Sequence, residues 1–221
     1  MMLSVIIPTL NAVHCLPSTL AAMTGAGERL VVDGGSRDGT MAAASAHGAR
    51  VISASPGRGS QMEAGARAAG EAWLLFLHAD TVLEQGWRDE VSRFIADPQN
   101  AGRAATFRFA LSDDSSQARR LEGWVSWRVR RLGLAYGDQG LLIHRDFYRA
   151  IGGFRPLPLM EDVDLIRRIG RQRLVVLDAN AITSARRWQQ EGWLWRSGRN
   201  LGCLALYFLG VSPRVLKRLY G

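Results

Sequence analysis

Several short polar stretches in this chain carry side chains that can do chemistry. The run Leu30-Val31-Val32 leads into Asp33-Gly34-Gly35-Ser36-Arg37-Asp38-Gly39-Thr40. A carboxylate at the end of a buried strand can accept hydrogen bonds from a ribose or a base, and the paired glycines let a ligand approach the backbone. Residues 73–77 are strongly apolar and give way to His78-Ala79-Asp80. Alternate residues there point an imidazole and a carboxylate to one side, and a divalent ion held by them can bridge diphosphate oxygens. The glycine-rich stretch Pro56-Gly57-Arg58-Gly59-Ser60-Gln61 precedes a helical segment. Its backbone N–H groups and Arg58 suit a diphosphate, although it has no Walker lysine. Glu161-Asp162-Val163-Asp164 places three carboxylates close together amid basic residues, where a helix start also favours them.

Strands are expected over 4–8, 30–33, 50–53 and 73–78, alternating with helices over 16–23, 38–47, 62–69 and 84–95. Ser36, Asp38 and Thr40 are expected to cap the second helix. A β-α-β-α order of this kind predicts an α/β fold with a single doubly wound, mostly parallel sheet flanked by helices. The second half is less regular, with strands expected over 104–110, 139–144 and 173–177 and helices over 116–132, 147–151 and 162–171. No repeat or linker divides the chain. It reads as one domain over 1–221, with a nucleotide-binding half (1–100), an acceptor half (101–188) and an amphipathic helical tail (189–221).

Composition narrows the function classes. At 221 residues, with 47% hydrophobic and 22% charged residues, the chain can bury a real core. The net charge is +8, carried by 27 Arg and one Lys. Arg favours bidentate contacts to phosphate and carboxylate. Residues 186–221 hold seven basic residues and one acidic, a net of +6. That bias suits an anionic membrane surface or a phosphorylated substrate and argues against nucleic acid as a partner of the body of the chain. Within 211–220, Val211, Val215, Leu216 and Leu219 share one helical face and Arg214, Lys217 and Arg218 another, the pattern of an interfacial helix. Cys15 and Cys203 make no disulfide framework, so a reducing cytosolic compartment is expected, with a peripheral place on the inner face of the membrane. No signal peptide is expected.

The stretches Ser4-Val5-Ile6-Ile7-Pro8-Thr9-Leu10-Asn11 and Val31-Val32-Asp33-Gly34-Gly35-Ser36-Arg37-Asp38-Gly39-Thr40 resemble the start of family 2 glycosyltransferases. His78-Ala79-Asp80, Gly137-Asp138-Gln139-Gly140 and Met160-Glu161-Asp162-Val163-Asp164 extend the resemblance, which covers roughly 3–188. It implies a glycosyltransferase A-type fold and an inverting transfer of sugar from a nucleotide-diphospho-sugar, most simply UDP-linked, to an acceptor hydroxyl. It implies Mg²⁺ or Mn²⁺ as cofactor, with Asp80 as the metal ligand. Pro8, Asp33, Gly35, Asp38, Arg58, Gln61 and His78 would face the nucleotide. Asp162 would be the catalytic base, and Asp138, Glu161 and Arg187 would meet substrate. His78 stands where the family usually has Asp, and Ser184 where larger members have the Gln of a Gln-x-x-Arg-Trp motif. The acceptor stays open. Two other classes were weighed: a nucleotidyltransferase of related fold, and a non-catalytic module that binds nucleotide or membrane. The first would want a Gly-rich loop with Arg and Lys after the first strand, where Thr9-Leu10-Asn11-Ala12-Val13 stands. The second has no need of Asp33, Asp80 and Asp162.

Overall fold

The structure is a computed structural model and describes residues 2–220. Its strands are β1 (Leu3–Thr9), β2 (Glu28–Asp33), β3 (Arg50–Ser53), β4 (Trp73–Phe76), β5 (Thr81–Leu83), β6 (Ala104–Leu111), β7 (Leu141–His144) and β8 (Leu174–Thr183). Its helices are α1 (Leu16–Ala22), α2 (Thr40–Ala46), α3 (Arg58–Ala68), α4 (Trp87–Ala96), α5 (Ser116–Leu132), α6 (Arg145–Ala150), α7 (Glu161–Ile169), α8 (Arg186–Glu191), α9 (Trp193–Phe208) and α10 (Pro213–Tyr220).

The strands form one sheet in the order β3-β2-β1-β4-β7-β6-β8-β5. The first four pair in parallel, as the alternating pattern predicts. Beyond β4 the sheet is mixed: β7 runs antiparallel to both β4 and β6, and β5 antiparallel to β8. The parallel character therefore belongs to the first half, with only β6 and β8 parallel in the second.

Period-two alternation sorts the strand side chains into two cores. Ile6, Leu30, Val32, Leu74 and Phe76 lie in the layer under α3, α5, α6 and α7. Leu3, Val5, Ile7, Val31 and Leu75 lie in the layer under α1, α2 and α4. Both faces of the central strands are thus covered, which is why these runs are continuously apolar.

Some boundaries differ from the sequence reading. Helix α3 begins at Arg58, not at 62, so Arg58 and Gln61 are helical. Helix α2 begins at Thr40. Strand β8 continues to Thr183. The tail is three helices, and in α10 Leu216 is fully buried while Val215 and Leu219 are exposed. The even apolar face expected for that helix is therefore split between protein and solvent.

Candidate active site

Strands β1, β2 and β4 end at one edge of the sheet, and the chain turns there are tied to one another. The Asp33 Oδ2 accepts from the N–H groups of Gly35 (2.9 Å) and Ser36 (2.8 Å). Its Oδ1 accepts from the hydroxyls of Ser36 and Thr9. Burial pushes this carboxyl up, but these four bonds outweigh it and hold the group below the ordinary Asp value. Asp38 does similar work: Oδ1 accepts from the N–H of Thr40 (3.0 Å) and Oδ2 from that of Val13 (3.2 Å). Asn11, in the left-handed region at φ 51°, accepts from the Arg37 N–H and donates its own N–H to Ser36 Oγ. The hydroxyl of Thr40 accepts from the N–H of Ala12 (2.8 Å), and Ser36 binds Asn11, so Asp38 alone of the three expected capping residues serves the start of α2.

Asp33 and Gln61 both belong to this network. Asp33 is 1% exposed and its acceptor sites are filled, so it braces the turn. Gln61 is buried and gives both amide hydrogens to the carbonyls of Thr9 and Val32, each at 2.8 Å. It locks the ends of β1 and β2 together and does not reach outward. Pro8 is buried inside β1. Gly35, exposed at a φ of +97°, has open space where a Cβ would stand, so a ligand can approach its backbone.

Arg58 is also committed. Its Nε lies 2.7 Å from Oε1 of Glu161, which is 2% exposed. A Cβ on Gly59 would sit 2.2 Å from the Arg155 carbonyl oxygen, so only glycine allows α3 to approach the segment leading to α7 this closely. Arg58 and Glu161, read from the sequence as diphosphate and substrate contacts, pair with each other, and together they clamp the N-termini of α3 and α7.

Beside that clamp, Asp162 lines a small, mostly apolar pocket together with Met62, Phe76, His78, Tyr136, Phe154 and Leu165. The N–H of Gly137 donates to Asp162 Oδ2 at 2.9 Å. A Cβ on Gly137 would stand 2.5 Å from His78 Nε2 and 3.4 Å from Asp162 Oδ2, so the imidazole and the carboxylate flank this glycine. Asp164, by contrast, is saturated: Arg155 reaches Oδ1 at 3.2 Å and Arg168 reaches Oδ2 at 2.6 Å.

The charges at the site are mutually tuned. Burial drives His78 down to about 4; Arg58 and Arg187 add to the fall, and Asp80 and Asp162 oppose it. The ring is therefore neutral at pH 7 and keeps a lone pair. Burial pushes Asp138 up to about 6, Arg128 opposing and the carboxylates of Asp162 and Asp80 adding to the rise. Its Oδ1 is buried without a hydrogen-bond partner among the described residues, as is the hydroxyl of Tyr136. Tyr136 also carries the Arg128 guanidinium 3.7 Å above its ring. The sequence reading overlooked Tyr136 and Arg128; the tyrosine stands directly before Gly137-Asp138, and that adjacency was the available signal.

The model of glycosyl transferase family 2 matches residues 4–155. The chain belongs to that family. An uncharacterised glycosyltransferase from Mycobacterium tuberculosis is 38% identical over 84 residues, which is 38% of this chain and 38% of that protein. A Mycobacterium bovis counterpart matches equally, so the matched segment spans well under half of these relatives. Among solved structures, the glucosyl-3-phosphoglycerate synthase of M. tuberculosis in complex with Mn²⁺, UDP-glucose and phosphoglyceric acid superposes with a TM-score of 0.61 at 19% identity, over 82% of this chain and 70% of that one. S. aureus TarS 1-349 gives 0.64 at 15% identity, over 84% and 61%. These structures share the fold.

In this family 2 chain, Asp80 follows β4 and makes no side-chain hydrogen bond or ion pair among the described residues. No group of three His, Cys, Asp or Glu side chains among the described residues is placed to hold an ion alone. That arrangement fits a hard divalent ion that arrives with its ligand, because Mg²⁺-type sites use one or two carboxylates plus substrate phosphates and water. Asp80 is the available carboxylate, the partnerless Asp138 Oδ1 is close enough to feel its charge, and neutral His78 feels the charges of both Asp80 and Asp162. Arg187, exposed at the start of α8, is near enough to depress His78 and forms no ion pair among the described residues.

Proposed function

We propose that this chain transfers a glycosyl group from a UDP-linked donor to an acceptor hydroxyl with inversion at the anomeric carbon, assisted by a divalent ion, preferably Mn²⁺. The observation that carries the reading is the contrast between Asp162 and its neighbours. Glu161 and Asp164 are spent on Arg58, Arg155 and Arg168, while Asp162 meets no cation among the described residues, accepts the backbone N–H groups of Gly137 and Val163, and lines the pocket. A carboxylate so placed takes the proton of an acceptor hydroxyl as its oxygen bonds to the anomeric carbon. The bond from that carbon to the diphosphate breaks, and UDP leaves with the electron pair. When bound, the ion neutralises charge on the departing diphosphate. Asp80 holds it, and Arg187 meets the diphosphate from the α8 side. Asp138 accepts a hydrogen bond from an acceptor hydroxyl through its free Oδ1. The UDP and Mn²⁺ in the mycobacterial synthase support the choice of donor and metal.

Calorimetry with UDP in the presence and absence of Mn²⁺ tests the metal assignment. Binding should require Mn²⁺ in the wild type and vanish in Asp80→Ala, whose circular dichroism should be unchanged. Metal-dependent affinity that survives the substitution would remove Asp80 from the site.

A further inference from the structure

Helix α9 leaves one whole side uncovered. Leu194, Trp195, Leu201, Phe208 and Leu209 are 91%, 71%, 67%, 44% and 80% exposed. Gly198, Gly202 and Ala205 fill the positions between them and are exposed too, so no charge interrupts the stripe over the length of the helix. The other side of α9 holds it to the body: Cys203 and Arg196 are each 5% exposed, and Trp193 stacks on Trp188 at 6.5 Å. Helix α5 adds Trp124 and Trp127, 70% and 50% exposed and packed edge to face at 6.0 Å. Leu132 of α5 and Phe208 of α9 line one cleft, together with Ile166, Arg167 and Arg171. Isolated exposed hydrophobics are ordinary, but a continuous stripe beside paired indoles marks an interaction surface.

The charges around this surface choose its partner. Arg130, Arg131, Arg214, Lys217 and Arg218 are all exposed. No acidic residue follows Glu191, and that carboxylate is occupied by Arg196 and Arg199. A second copy docking about a two-fold axis would set these cations against their own images. Anionic headgroups complement them, and indoles settle at the headgroup level of a bilayer. We propose that the α9 stripe, with Trp124 and Trp127, docks in the plane of an anionic lipid surface, while α10 contributes cations above it. Contact is shallow and reversible, because no described helix is long and apolar enough to cross a membrane.

Flotation of the whole chain with vesicles tests this. It should bind phosphatidylcholine vesicles that contain phosphatidylglycerol, ignore phosphatidylcholine alone, and weaken as salt rises. Lipids brominated near the headgroup should quench part of its tryptophan fluorescence, and Trp195→Phe should reduce the quenching. Leu201→Glu should weaken binding about tenfold, the factor expected for losing the burial of one leucine. Arg214→Gln with Lys217→Gln and Arg218→Gln should weaken it and flatten the salt dependence. Circular dichroism and the binding of UDP with Mn²⁺ serve as fold controls, since Leu201 is not among the residues that line the pocket. No binding at low salt, or binding indifferent to Leu201→Glu, would overturn the proposal. So would a concentration-dependent dimer in light scattering that Leu201→Glu dissolves, since a second copy would then be the occupant.

Discussion

The three carboxylates at the start of α7 differ in what surrounds them, and that difference predicts how each responds to substitution. Asp162→Asn keeps the shape and one of the two backbone hydrogen bonds, from Gly137 or from Val163, but cannot take a proton. Turnover should fall by roughly 10²–10⁴, with UDP affinity nearly unchanged. Asp164→Asn should leave turnover within a few fold and instead lower stability, because Arg155 and Arg168 lose their charged partner. Steady-state transfer and thermal melts of both variants separate the two roles; wild-type turnover by Asp162→Asn with a dead Asp164→Asn would reverse the assignment. Asp138 makes a second claim at this scale. Its carboxyl is raised to about 6 chiefly by burial, so folding favours its protonated form. The stabilisation is complete below the unfolded value near 4 and is lost as pH rises through about 6. Asp138→Asn removes this loss. Its unfolding free energy relative to wild type, measured in urea without metal, should climb between pH 4 and 7 and then level, by an amount on the order of 2 kcal/mol. A difference constant across that range would mean that Asp138 is ionised throughout.

At the scale of elements, two helical glycines of one residue type make opposite predictions. Gly65 of α3 lies against the sheet, where a Cβ would meet Ile6 Cγ2 at 2.4 Å and Val32 Cγ2 at 2.9 Å. Gly65→Ala should destabilise by about 1–3 kcal/mol through overpacking, despite the better helix propensity. Gly123 of α5 faces open space, so Gly123→Ala should stabilise by about 0.5–1 kcal/mol. Urea midpoints for the pair that move in the same direction would contradict this account of how α3 is seated. The elements also show which features could be read from the chain. Strands β1, β2 and β4 were legible because both their faces are buried and their runs are continuously apolar. Strand β5 was not, since three residues carry no alternation to detect. Nor was the antiparallel placement of β7, because strand direction is decided by a partner some 70 residues away. The site divides the same way. Gly-rich turns and acidic pairs announced its edge, but the Arg58–Glu161 pair and the locking of Gln61 depend on α3 meeting the sheet and α7, contacts that local spacing does not encode.

Across the whole molecule, the question is whether the parallel and mixed halves of the sheet fold as one. The chain exceeds the length below which two-state behaviour is the usual expectation, about 150 residues. Yet the two cores do not follow the halves. One runs from Ile6 to Trp188 and the other from Leu3 to Ala181, on opposite faces of a sheet made continuous by the β4–β7 pairing. Neither half can leave without opening both layers. We therefore propose a single cooperative domain, and the tryptophans allow the proposal to be checked layer by layer. Trp73 and Trp87, 5% and 3% exposed, report on the layer under α1, α2 and α4; Trp188, 8% exposed, reports on the other. In urea, a variant that keeps only Trp73 and Trp87, the other five tryptophans replaced by Phe, should show the unfolding of the first layer, and one that keeps only Trp188 that of the second. Each should coincide with its own far-ultraviolet circular dichroism transition. If, within either variant, fluorescence and circular dichroism gave midpoints separated by more than the fitting error, the layers would open in sequence, and the two halves would have to be treated as separate folding units.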